Sequence, residues 1–346
     1  MSEATSRPGR RVTLGDVSKA AGVSVMTVSN VVRGKTELVK LETRKRVEAA
    51  IAQLRYRPNI SARSLRLSTE HSVGIVISDS DPAFLTDPFI SRLVSGLSNH
   101  LSKVEYTLDI QGIAPERFES ATILRKVGNG ALCAILCGPT SLRRKNLGYL
   151  QRLGQPVVVF QEAFASPSPD VALVRQDDAS GGALLGKHLV ERKVRSVVFL
   201  RPALDWCAVE QREKGFRSAI NEVASNISIA TMLVPSEGFD DVQAVVKDAL
   251  SRNRPDAIVA ATDMMAVAVL KTSEILGLRV PADIMITGFN GFDVWRYTRP
   301  TLTTVLSPAY KMGQFAGEML VQRLDSGAFA KRSVVFPVAL QVGEST

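Results

Sequence analysis

Two different rhythms of apolar residues divide this chain near position 70. Up to that point the period is helical. Leu14, Val17, Ala20 and Ala21 recur at the spacing of one helix face, and Val28 and Val31 do the same further on. Thr13 has the chemistry of a helix start. Its hydroxyl can satisfy an orphan N–H, and Asp16, three places on, suits the positive helix end. Gly22 supplies a left-handed residue to end the first helix, Val23 plugs the turn, and Ser24 opens the second helix. Residues 13–30 therefore predict two short helices about a tight turn. The pair is either an ordinary helical hairpin or a helix-turn-helix, which sets the start of its second helix in a DNA major groove. A third helix is predicted over residues 42–54, with Val47, Ala50, Ile51 and Leu54 as its stripe. Pro58 then disfavours a helical Arg57. The short helix candidate 59–66 is marginal in isolation and needs DNA or a partner chain to order it.

From residue 73 the texture changes. VGIVIS (73–78), YTLDI (106–110), ALCAILC (131–137), PVVVF (156–160), VALV (171–174), SVVFL (196–200), AIVAA (257–261) and IMITGF (284–289) are short apolar runs. Continuous rather than alternating apolarity suits parallel strands buried on both faces. Amphipathic stretches at 89–103, 181–192, 213–224 and 266–276 lie between them. Repeated strand-then-helix order predicts doubly wound parallel sheets with helices on both faces. The length allows two such lobes, with a ligand cleft at the carboxyl ends of the strands.

Charge sharpens the division. Of a formal +9, residues 1–70 hold 14 Lys+Arg against 6 Asp+Glu, while the rest is nearly balanced at 29 against 28. Basic charge gathered in one small segment with a helix-turn-helix pattern is the footprint of a module that neutralises phosphates. The polar, basic residues 1–11 lack the apolar core of a signal peptide, and no apolar run reaches membrane-spanning length, so a cytoplasmic location is expected. Cys133, Cys137 and Cys207 are too few for a disulfide framework or metal site, and the first two read as core. His71, His100 and His188 are scattered, with His188 expected to pack or cap within a helix. No metal-ligand cluster, phosphate-cradling glycine loop or nucleophile elbow stands out. The expectation is accordingly no enzyme, no catalytic residue, no metal and no cofactor.

VTLGDVSKAAGVSVMTVSNVV at the head, TRKRVEAAIAQLRYRPN followed by ISARSL, and VGIVISD at the start of the second region together resemble the LacI/GalR family of bacterial transcription regulators. REKGF (212–216), ATDMMAVAVL (261–270), GLRVPADIMITGFNG (277–291) and RPTLTTV (299–305) extend the resemblance over nearly the whole chain. It implies an all-α DNA-binding head (1–57), a hinge helix (58–70) and an α/β core (71–346) of the type I periplasmic-binding-protein kind. The core would divide into an N-subdomain (71–173 and 306–334) and a C-subdomain (174–305 and 335–346).

The resemblance also implies roles. Val25, Met26, Thr27, Ser29 and Asn30 would face the major groove, and Thr13, Ser24 and Asn59 the DNA backbone. Ala62, Arg63 and Leu65 would enter the minor groove, with Leu65 wedged between base pairs. Asn30 stands where the family often has Arg; Asn pairs with adenine N6/N7, whereas Arg favours guanine. Lys40 replaces the usual Ser that starts the third helix. In the core, Ser78, Gln161, Trp206, Arg212, Phe239, Asp263 and Asn290 would contact an effector. Gln161 and Asn290 are amides where acids are frequent, so a less negative cleft and a sugar acid, rather than a neutral sugar, are expected.

The function so implied is an effector-controlled transcriptional regulator, in all expectation a repressor. Its partners would be double-stranded DNA carrying a near-palindromic operator, a sugar or sugar-acid effector, and a second copy of itself. No leucine-heptad tail follows Val342-Gly343-Glu344, so a homodimer is expected. The alternative is a transport-type solute-binding protein sharing the same core, which the basic head and the missing signal peptide disfavour.

Overall fold

A computed structural model describes residues 12–32, 38–54, 56, 71–125, 130–164, 168–223, 226–252 and 254–346. By its contacts the chain forms two compact units, Met1–Glu70 and His71–Thr346. Asn59, Ala62, Arg63 and Leu65 lie outside the described residues.

In the first unit, α1 (Leu14–Ala21), α2 (Val25–Val32) and α3 (Leu41–Gln53) close around Val17, Ala21, Val28, Val47, Ala50 and Tyr56. The start of α1 is a reciprocal cap. The Asp16 backbone N–H donates to Thr13 Oγ1 at 3.3 Å, and the Thr13 backbone N–H donates to Asp16 Oδ2 at 2.8 Å. Gly22 ends the helix at φ 63° and ψ 40°, a left-handed conformation that costs glycine nothing. Lys40 precedes α3 without any side-chain cap, so that helix starts with one fewer satisfied N–H than the usual Ser would give.

The second unit holds two parallel sheets. Six strands, β1 (Ser72–Ser78), β2 (Thr107–Ile113), β3 (Ala131–Ile135), β4 (Val157–Phe160), β5 (Val171–Gln176) and β11 (Ser333–Phe336), lie in the order β11-β5-β4-β3-β1-β2. Four more, β6 (Ser196–Pro202), β7 (Ser228–Val234), β8 (Ala257–Ala260) and β9 (Met285–Thr287), lie in the order β7-β6-β8-β9. The short strands β10 (Thr304–Leu306) and β12 (Ala339–Gln341) pair antiparallel. Every residue of β1 is buried because the strand is central and both faces are covered. Val73, Ile75 and Ile77 enter one cluster, and Val76 enters the cluster on the opposite face. β5 runs to Gln176 and β11 to Phe336 within the first sheet, three and two residues beyond the N-subdomain ends expected at 173 and 334.

One close helix pair braces each lobe. In the first, α4 (Pro88–Lys103) meets α10 (Ala309–Ser326), counting α5 (Thr140–Gln151), α6 (Asp178–Glu191), α7 (Cys207–Val223), α8 (Phe239–Arg252) and α9 (Asp263–Ile275) between them. In the second, α6 meets α7. Glycines set both separations. A methyl at Gly96 or Gly313 would sit 2.0 Å from a carbonyl oxygen of the facing helix, and one at Gly215 would sit 1.9 Å from Ala179 O. Backbone-to-backbone contact of α6 and α7 is what brings Asp178 and Arg212 together.

Candidate ligand cleft and nucleic-acid interface

Start with the exposed face of α2. Ser24 Oγ receives the Thr27 backbone N–H at 3.1 Å and lies 2.9 Å from Thr27 Oγ1, so it caps the helix. Val28 is fully buried and fixes the rotation of the helix about its axis. That rotation leaves Val25 at 48% and Met26 at 68% exposure, with Thr27, Ser29 and Asn30 half-buried beside them. Two large apolar side chains at an exposed helix start have no packing role in the head. Thr13 and Ser24 were expected as backbone anchors; both hydroxyls already serve caps, and each residue remains at the surface.

The cleft of the core lies at the carboxyl ends of the strands of both lobes. Ser78 and Asp79 follow β1, Cys137 follows β3, and Gln161 follows β4. From the other lobe come Trp206, Arg212, Glu237, Thr262, Asp263 and Asn290. Six of the seven residues expected from sequence therefore line it. The seventh, Phe239, does not: it opens α8 and is 41% exposed, away from the lining. Asp79, Asp87, Phe89, Glu237 and Cys137 are lining residues that sequence reasoning missed.

Arg212 is the hub, at 4% exposure. Its Nε donates to Asp178 Oδ1 at 2.8 Å, Nη1 to Ala261 O at 2.7 Å, and Nη2 to Asn290 Oδ1 at 3.1 Å, while the guanidinium stacks 3.9 Å from the Phe289 ring centre. Asp178 also receives Gln176 Nε2 at 2.8 Å and Gln161 Nε2 at 3.1 Å. Burial raises the Asp178 carboxyl from its ordinary value, and the Arg212 ion pair opposes that rise. Arg212 was expected to grip the effector. Three of its five N–H groups hold the floor of the cleft together, and the residue also lines the cleft.

Asp263 is similarly occupied. Thr304 Oγ1 donates to its Oδ1 and the Gly291 N–H to its Oδ2, both at 2.6 Å. Those bonds hold the Asn290-Gly291 turn, where Asn290 adopts φ 112° and Gly291 φ 62°. Gln161 sits at φ 57°. Positive φ at two non-glycine residues marks backbone strain at the cleft wall. Trp206 Nε1 donates to Cys137 Sγ at 3.0 Å across the two lobes, so Cys137 is a wall residue rather than plain core. Arg92 pairs with Asp293, and Arg143 Nη2 reaches Glu210 at 3.6 Å, also from lobe to lobe. His188 packs as expected, with Nε2 2.8 Å from Thr346 Oγ1.

The two amides behind the expectation of a less negative cleft share it with acids that expectation did not count. Gln161 and Asn290 are amides, but Asp79, which closes the VGIVISD stretch, and Asp87 and Glu237, which lie outside the family-like stretches, bring carboxylates to the lining. Burial pushes the Glu237 carboxyl up to about 7, reinforced by Asp87 and Asp79, and burial pushes Asp263 up to about 6. Asp79 and Asp87 are raised as well, again chiefly by burial. Among the described residues no group of three His, Cys, Asp or Glu side chains is placed to hold a metal, and no helix is long and apolar enough to cross a membrane.

Residues 13–59 match the family model of bacterial regulatory proteins of the lacI family, and residues 187–346 that of the periplasmic binding protein-like domain. The HTH-type transcriptional repressor PurR of Photobacterium profundum is 30% identical over 317 residues, spanning 90% of this chain and 92% of that protein. The chain belongs to the lacI family of bacterial regulatory proteins. A second PurR, from Photorhabdus laumondii, is 30% identical over 322 residues and 90% of each chain. Among solved structures, the regulator is similar to the CelR–cellobiose complex, with TM-score 0.68 and 25% identity over 97% of this chain and 100% of that one. It also shares the fold of the lac repressor dimer bound to operator and the anti-inducer ONPF, with TM-score 0.78 and 22% identity over 97% and 99% of the two chains. The regulator thus couples a DNA-binding helix-turn-helix head to a two-lobed effector-binding core.

The pH response of this cleft is testable. A carboxyl that holds its proton more tightly when folded makes stability fall as pH rises through the window between the two values. For Glu237 that window runs from 4.5 to about 7: the penalty is absent below it and complete above it. Glu237→Gln is therefore expected to melt at higher temperature than the parent above neutrality. The gap should close towards the acid end of the window in melting curves taken across it, because only the parent's carboxyl titrates.

Proposed function

We propose that this regulator is a repressor that binds a near-palindromic operator as a homodimer and changes its operator affinity when a small molecule occupies the core cleft. The observation that carries the reading is the pairing, in one chain, of an exposed apolar-and-amide helix start with a buried, polar-floored cleft. Two-fold symmetry of the dimer calls for matching half-sites. In solved relatives the corresponding ligands are cellobiose in CelR and ribose in a LacI family regulator from Enterococcus faecium. Closing the lobes on an effector would move the chain at the start of β1 in each protomer, and the hinge segment 58–70 leads directly into that strand. Reciprocity then requires operator DNA to change effector affinity by the same factor.

On the DNA side, Val25 and Met26 offer contacts of the thymine-methyl kind, and Asn30 is the amide suited to adenine. Thr27, Ser29, Thr13, Ser24 and Asn59 would position the head on phosphates. Ala62, Arg63 and Leu65 would serve the minor groove at the operator centre. The test is a selection of bound sequences from a randomised duplex pool by the full chain, repeated with Asn30→Arg. The expected result is a near-palindrome whose preference changes from adenine to guanine at one symmetric base pair in the variant. An unchanged preference would remove Asn30 from the readout. Retention that is independent of salt would argue against phosphate neutralisation altogether.

A further inference from the structure

We infer that the cleft selects an organic cation, an amine- or amidine-bearing molecule with a flat apolar body, held by Asp79 and Asp87 of one lobe and Glu237 of the other. The inference rests on the reading of the cleft as the effector site and gives that site its ligand class.

Four observations lead there. First, the acids come from both sides of the cleft. Asp79 and Asp87 lie beside β1 and at the start of α4, while Glu237 lies in the loop before α8. Asp87 is fixed in place by accepting the Phe89 N–H at 2.6 Å, and Glu237 by accepting Thr262 Oγ1 at 3.0 Å. All three line the same cleft; Asp79 raises the proton affinity of Asp87, and both raise that of Glu237.

Second, the one guanidinium of the lining is already paired. The Arg212 charge opposes the rise at Asp87 and Glu237, but three of its five N–H groups go to Asp178, Ala261 O and Asn290. Arg143 is engaged by Glu162, by Gly138 O at 3.0 Å and by Thr140 Oγ1 at 3.1 Å. An anionic ligand would meet three carboxylates against the single guanidinium of Arg212, which is already ion-paired with Asp178.

Third, and independently of charge, Ser78 Oγ lines the same cleft, is completely buried, and has no hydrogen-bond partner. A buried hydroxyl left unpaired is unfavourable, and a ligand N–H would satisfy it. Fourth, Phe89, Trp206 and Phe292 give the cleft broad apolar surfaces. A π-face beside a carboxylate favours a cation with a flat body over a sugar-sized polyol alone.

These parts also suggest how binding would close the core. Without a ligand, bringing Glu237 towards Asp79 and Asp87 opposes like charges. An amidinium between them turns that repulsion into two attractions, one to each lobe, and its planar fork can meet a carboxylate with two parallel hydrogen bonds.

Three near-isosteric probes of different charge test this: benzamidine, benzamide and benzoate, titrated calorimetrically into the full-length regulator at mildly alkaline pH. Benzamidine is expected to bind about tenfold or more tightly than benzamide, and benzoate not to bind. Glu237→Gln and Asp79→Asn are each expected to weaken benzamidine by about tenfold while leaving benzamide unchanged. Binding of benzoate or benzamide as tight as benzamidine, binding of none of the three, or full benzamidine affinity in Glu237→Gln would each overturn the inference. Salt-dependent DNA retention is measured on the same samples. Charge-selective binding without DNA retention sinks the regulator reading alone; DNA retention without charge selectivity sinks the cation alone.

Discussion

Arg212→Ala is expected to destabilise the core by about 3–5 kcal/mol, because it leaves the Asp178 carboxylate buried with its cation gone. Asp178 is 4% exposed and sits among Arg212, Gln176 and Gln161, so water cannot readily replace the guanidinium. The lost bonds also free Asn290 and the Ala261 carbonyl, which loosens the cleft floor from two further sides. Urea unfolding of the full chain should show the drop in the core transition. The drop should shrink on acidification, since a protonated Asp178 no longer needs a counter-charge. A second variant separates charge from packing: Arg212→Met with Asp178→Asn should recover part of the loss relative to Arg212→Met alone. The head carries its own apolar centre of Val17, Ala21, Val28, Val47, Ala50 and Tyr56, so DNA contact should survive at permissive temperature while the effector response is lost. Equal damage in the single and double variants would show that Arg212 acts through its packing on Phe289 rather than through its charge.

The second large effect reverses an ordinary rule. Glycine to alanine inside a helix usually stabilises by up to about 1 kcal/mol. At Gly215 the new methyl would lie 1.9 Å from Ala179 O and 2.6 Å from its carbonyl carbon, so α6 and α7 must part. Overpacking against backbone is expected to outweigh the propensity gain and leave a net cost of about 3 kcal/mol or more. Moving α7 also moves Arg212, whose carbonyl oxygen lies 2.0 Å from the place where a methyl on Gly182 would sit. Gly148 in α5 is the control: the nearest atom to its added methyl is the flexible end of Arg152 at 3.5 Å. Gly148→Ala should therefore stabilise slightly in the same urea titration. Opposite signs at the two helical glycines would tie the effect to the helix contact; equal signs would dismiss it.

The legibility of each part follows from how local its cause is. Capping at Thr13 and Asp16, the left-handed Gly22 and the buried face of α2 depend on neighbours within a few residues, and all are as the spacing predicts. Central strands such as β1 and β3 are buried on both faces and announce themselves as unbroken apolar runs. β7 went unread because it is an edge strand: Ser228–Val234 is largely exposed and mixes polar with apolar residues. β11 and β12 are short and half-exposed, β10 is short though largely buried, and the pairing of all three comes from residues far along the chain.

The cleft divides in the same way. Ser78, Gln161, Asp263 and Asn290 stand at ends of strongly patterned strands, where a ligand position is predictable from fold logic alone. Asp87 and Glu237 stand in stretches whose sequences look like ordinary polar surface, and Asp79, although it closes VGIVISD, carries no sign there of its neighbours in space. Amides at Gln161 and Asn290 lower the charge at two positions only, and the carboxylates of Asp79, Asp87 and Glu237 add to the same lining from elsewhere in the chain.

By itself, the sequence determined the two-part organisation, the helix-turn-helix, the parallel α/β core and the family. Each follows from periodicity, charge distribution or motif, which act over short separations in the chain. Only the tertiary structure decided that Arg212 is paired with Asp178 in the cleft floor, that Phe239 lies outside the cleft lining, and that three further carboxylates converge within it. Coulomb interaction and desolvation depend on distance in space, and the residues concerned are drawn together by two sheets and a glycine-spaced helix pair rather than by adjacency in the chain.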